Sequence, residues 1–76
     1  MQLDEVARID QVRSKINQMG WSLRELPVKS GGVNNVRISK WKLIAYRGDK
    51  SIQAENTDLH AAMMQMAKTL NIRVEA

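Results

Sequence analysis

The chain has 76 residues, 43% hydrophobic and 26% charged, with a net charge of +4 and a pI near 9.9. One core fits in that length and two do not, and folding buries only about 60–65% of the surface that the unfolded chain exposes. The composition is too apolar for disorder, and the absence of cysteine excludes a disulfide framework, a thiolate metal site and a cysteine nucleophile.

Residues 4–19 place Val6, Ile9, Val12, Ile16 and Met19 on one stripe of a helix. Asp4 and Glu5 sit at the positive end of its dipole. Gly20 follows the last stripe residue, where a left-handed cap is needed. Residues 21–28 read as a strand. Trp21 and Leu23 share one face, whereas Leu26 and Val28 fall on the opposite phase. Pro27 cannot donate a ladder hydrogen bond, which places this strand at a sheet edge. Residues 29–35 form a loop whose glycines and asparagines accept positive φ.

The strongest strand signal is residues 36–47. Val36 and Ile38 share one phase, and Trp41, Leu43 and Ala45 share the other. The slip falls at Ser39-Lys40. A β-bulge there would restore one continuous apolar face; a tight turn splitting the run is the alternative. Arg47-Gly48-Asp49-Lys50 is a hairpin turn, and residues 51–55 form the half-buried return strand. Thr57 or Asn56 caps a second helix, with Asp58 in its first turn. Its stripe is Leu59, Met63, Met66 and Leu70, widened by Ala62 and Ala67, and Asn71 ends it. Residues 72–76 alternate, as a short strand or a frayed tail would.

The expected architecture is one α+β domain over residues 1–76. A helix, a three-stranded antiparallel meander and a helix follow one another (α-β-β-β-α), with both helices on one face of the sheet. No apolar run approaches 18 residues and the first residues carry no apolar leader core. The expectation is a cytoplasmic protein with neither a membrane span nor a signal peptide.

Catalytic chemistry is not legible. His60, the one histidine, falls on the solvent side of the second helix by spacing, with no convergent ligands to make a metal site. The carboxylates are scattered, and no two of them stand out as a pair. Ser30-Gly31-Gly32 precedes a strand rather than opening a helix, so it is not a phosphate loop. The expectation is a protein that is not an enzyme, with no cofactor, no metal and no small-molecule substrate.

Residues 24–50 hold seven cations against two acids. Their net charge of +5 exceeds the +4 of the whole chain and leaves the remainder about neutral. The candidate binding residues are Arg37, Lys40, Lys42, Ile44, Tyr46 and Arg47. If Trp41, Leu43 and Ala45 face the helices, then Lys42, Ile44 and Tyr46 face away, on a sheet side left open to water. The leading expectation is a small interaction domain that binds a protein partner or pairs with a second copy through this basic face, as accessory or inhibitor proteins of phages and mobile elements do. The alternative is DNA or RNA, with Lys and Arg of residues 24–50 on phosphates and an aromatic stacked on a base.

The helix–three strands–helix order is similar to that of double-stranded-RNA-binding domains over most of the chain. In that family a lysine-rich turn opens the second helix and grips phosphates. The matching turn here, Thr57-Asp58-Leu59-His60, has one acid and no lysine, so no binding residues carry over. The final hairpin and helix also resemble small antitoxin-like and phage-encoded domains.

Overall fold

The computed structural model describes residues 3–74. Five elements follow in order: α1 (Leu3–Gln18), β1 (Ser22–Ser30), β2 (Arg37–Arg47), β3 (Lys50–Asn56) and α2 (Leu59–Thr69). The strands lie in chain order β1-β2-β3, and each neighbouring pair is antiparallel. The α-β-β-β-α order and the placement of both helices against one sheet face are as expected. Among the described residues, no helix is long and apolar enough to cross a membrane.

The core forms where the two helix stripes meet the inward phase of the sheet. Ile9, Val12 and Ile16 from α1 and Ala62, Met63, Met66 and Ala67 from α2 pack with Trp21, Leu43, Ala45 and Ala54. The chain has no Phe. Met63 and Met66, fully buried, supply the missing bulk. Val6 and Met19 mark the ends of the α1 stripe and stay 40% exposed. The molecule is only 15 Å deep against 41 Å long. One helix layer on one sheet accounts for that depth, so none of the described residues covers the far side of the sheet.

Both helices close by the same device. Gly20 has φ +87°, the Trp21 N–H donates to Ile16 O at 3.1 Å, and the Gly20 N–H donates to Asn17 O at 3.1 Å. In α2 the left-handed residue is Asn71 at φ +57°. The Ile72 N–H there donates to Ala67 O at 2.8 Å, and the Asn71 N–H to Lys68 O at 3.2 Å. These paired bonds satisfy carbonyls that a helix end leaves without partners. They also turn Trp21 and Ile72 back onto the core.

The start of α2 differs from the expectation. Asp58, not Thr57 or Asn56, is the cap: its carboxylate accepts the Ala61 N–H at 3.0 Å. Asn56 is still paired with Trp41 in β3 and is unavailable. Its Oδ1 instead accepts the Asp58 N–H at 3.3 Å and sets the turn that presents the cap. The tail also differs. Residues 72–74 form no strand; Ile72 and Val74 pack against the core. Glu75 and Ala76 lie outside the described residues.

β2 runs unbroken, so the slip is a bulge and not a turn. Val28 pairs with Lys40 and Lys29 with Ile38, which leaves Ser39 without a partner residue. Its Oγ donates to Val28 O at 3.0 Å. The bulge brings Ile38 into the phase of Trp41, Leu43 and Ala45. It does not bury Ile38, which is 50% exposed. The cause is length. β3 ends opposite Trp41, while β1 and β2 continue past it. Lys29 and Ser30, expected in the loop, extend this two-stranded arm. Pro27 lies in β1, the edge strand, as its missing N–H requires. Gly31 closes the arm at φ +114°, where a Cβ would collide with the Asn35 carbonyl. At the other end, Gly48 with φ +62° opens a two-residue hairpin between paired Arg47 and Lys50.

Candidate interaction face

Register places the outward side chains in rows. Ser22, Tyr46 and Ser51 form one, Arg24, Ile44 and Gln53 the next, and Leu26, Lys42 and Glu55 the third. Val28 and Lys40 follow, and beyond the bulge Ser30 and Arg37. Four of the six expected site residues, Lys40, Lys42, Ile44 and Tyr46, therefore share the open face. Arg37 lies on the same side at the arm.

Arg47 does not belong with them. It has the inward phase, and its guanidinium lies over the Trp21 ring, 5.7 Å from the centroid. Its Nη1 also reaches Met19 O at 3.5 Å. One residue of parity separates it from Tyr46, and that step carries it to the helix side. Three residues of the face are additions to the expected set: Arg24, Leu26 and Val28. The signal was present in the off-phase step at Leu26 and Val28. It becomes a surface only once β1 is known to pair with β2.

The face is apolar along a band and basic around it. Leu26 and Tyr46 are each 39% exposed, and Val28 and Ile44 are half-buried. Arg24, Arg37, Lys40 and Lys42 stand against Glu55, the one acid on this face among the described residues. Lys40 Nζ lies 2.9 Å from Glu55 Oε2. The hydrogen bond and charge of Lys40, with a smaller contribution from Lys42, hold the Glu55 carboxyl below its ordinary value. A depressed carboxylate stabilises the fold above its unfolded value and loses that contribution as pH falls through the folded value. Glu55 is exposed, so solvent screens the pair. In a carboxyl NMR titration Glu55 is expected to have a midpoint below the normal glutamate range, and Lys40→Ala to move it back up. An unchanged midpoint in Lys40→Ala would show that the pair does not persist in solution.

The helix side is held by a different cluster. Arg13 donates from Nε to Glu25 Oε2 at 3.0 Å and from Nη2 to Glu25 Oε1 at 2.7 Å, with Asp10 at 2.9 Å. This bidentate pair ties α1 to β1 and raises the Arg13 pKa, chiefly through the hydrogen bond to Glu25.

His60 departs from its expected place. It is not on the solvent side: the residue is half-buried, and its Nε2 is fully enclosed without a hydrogen-bond partner. Nor are the carboxylates all scattered. A ring nitrogen of His60 and carboxylate oxygens of Glu5 and Asp58 lie within 4.8 Å of one another. Sequence spacing could not find this group, because α1 supplies one member and the start of α2 the other two.

No protein-family model, no curated protein and no solved structure matches the chain.

Proposed function

We propose that this is a non-enzymatic interaction domain whose open sheet face docks on an apolar, acid-rimmed patch of a partner protein in the cytoplasm. The observation that carries the reading is the band of Leu26, Val28, Ile44 and Tyr46 set among Arg24, Lys40 and Lys42. An apolar centre with a charged rim is the composition of protein-binding surfaces. Aliphatic side chains gain more from burial against a protein than from contact with phosphates.

Charge selects among partners. Two copies meeting face to face would oppose one cationic surface with another, which disfavours self-association through this face. Nucleic acid would use the same cations, but Lys40 is already engaged by Glu55, and Tyr46 is the one aromatic on the face among the described residues. An acidic protein surface satisfies both the band and the rim.

The test is capture by the immobilised chain from a source-cell lysate, with and without nuclease, followed by affinity measurement on the recovered partner. Nuclease-resistant binding is expected. The double reversal Arg24→Glu/Lys42→Glu should weaken it by about 100-fold or more, since like charges then face each other across the rim. Nuclease-sensitive binding that falls steeply with salt would replace this reading with nucleic-acid binding. Binding that survives the double reversal would remove the face from it altogether.

A further inference from the structure

The geometry points to a site for a divalent transition-metal ion of the zinc class, formed by Glu5, Asp58 and His60. It lies in the helix layer and is independent of the open sheet face. Glu5 is in the first turn of α1, Asp58 is the cap of α2, and His60 is in the first turn of α2. Their ligand atoms fall within 4.8 Å of one another. Donors around a tetrahedral ion with bonds of about 2.1 Å sit about 3.4 Å apart. An ion would therefore draw the three ligand atoms together by up to about 1.4 Å.

Two features separate this group from ordinary acids at helix starts. A carboxylate in a first turn is explained by the helix dipole, and one oxygen of Asp58 is explained by capping, since Oδ2 accepts the Ala61 N–H. Neither effect explains the imidazole. His60 Nε2 is enclosed and makes no hydrogen bond, a state that buried polar atoms rarely keep without a partner. Nor do Glu5 and Asp58 form an ion pair with any described residue. Two anions and an imidazole thus converge with no cation among the described residues to balance them. An imidazole nitrogen with two carboxylate oxygens suits zinc, cobalt or nickel, and the nitrogen disfavours magnesium and calcium. The bound ion would bridge the first turns of α1 and α2. Solvent would complete its coordination.

Zinc chloride and cobalt chloride titrated into the full chain test this, with magnesium chloride as the contrast, by calorimetry and thermal melting in a non-chelating buffer. One zinc per chain is expected. Zinc at tenfold over its Kd should raise Tm by roughly 6–10 °C, and magnesium at that concentration should leave it unchanged. Glu5→Gln and His60→Ala should each remove the shift. Asp58→Asn keeps a competent cap, so it should fold normally and bind zinc about tenfold more weakly or worse. Binding should also weaken in acid, where protons compete for the imidazole. Absence of any shift at millimolar zinc would overturn the site. So would a shift that persists in both Glu5→Gln and His60→Ala, which would mark adventitious binding elsewhere on the chain.

Discussion

Leu43→Ala is expected to destabilise the fold by about 3 kcal/mol, while Ile44→Ala, one residue on, costs only about 1 kcal/mol and removes partner binding instead. Both side chains are aliphatic, and both lie on the central strand. Leu43 is fully buried, opposite Glu25 and Ala54 and in the same core as Met63 and Met66. Its truncation leaves a cavity that the neighbouring strands cannot close. For a domain of this size the total stability is roughly 4–11 kcal/mol. A loss of that order removes much of it and lowers Tm by about 15–20 °C. Ile44 points to the open side between Arg24 and Gln53 and has less to lose on folding. Chemical denaturation of the two variants, alongside affinity for the captured partner, separates the roles. If Ile44→Ala binds as tightly as the parent, the apolar band is not the docking surface.

Much of that contrast is legible in the sequence. The two helix stripes, Gly20 as a cap and the Gly48 hairpin all arise from local rules, and the structure keeps them. The phase slip at Ser39-Lys40 is legible as a discontinuity, but not as a bulge. Choosing between bulge and turn needs the pairing of Val28 and Lys29 across the ladder. The open face was half legible. Alternation within β2 separates Lys42, Ile44 and Tyr46 from the core. Arg24, Leu26 and Val28 join them only through register, which a single strand does not contain. Arg47 was misplaced because charge density along the chain ignores parity: Arg47 is adjacent to Tyr46 yet emerges on the other side. The Glu5, Asp58 and His60 group lay furthest out of reach. Helical spacing describes one helix at a time, and this convergence arises from two helices packed together.

Trp21 carries the other large stability effect, and its two substitutions should behave very differently. Trp21→Ala is expected to cost about 3–5 kcal/mol, the range for truncating a buried aromatic. The residue is 9% exposed, and the closing turn of α1 places it on the core. Trp21→Phe should be close to neutral. It sacrifices some packing, but it also removes an indole N–H that is enclosed without a hydrogen-bond partner. Leaving such a group unsatisfied costs about 1–3 kcal/mol, enough to offset the lost area. Phe also keeps a ring face for the Arg47 guanidinium, whose contact is worth about 0.5–1 kcal/mol at a site as exposed as this one. Far-UV circular dichroism in a denaturant series measures all three states without relying on the fluorescence of the substituted residue. If Trp21→Phe costs as much as Trp21→Ala, the indole N–H is bonded in solution, and the residue is held by that bond rather than by its ring. If Phe is neutral, Trp21 is there for its area, and Arg47 lies over that ring on the helix side, away from the open sheet face.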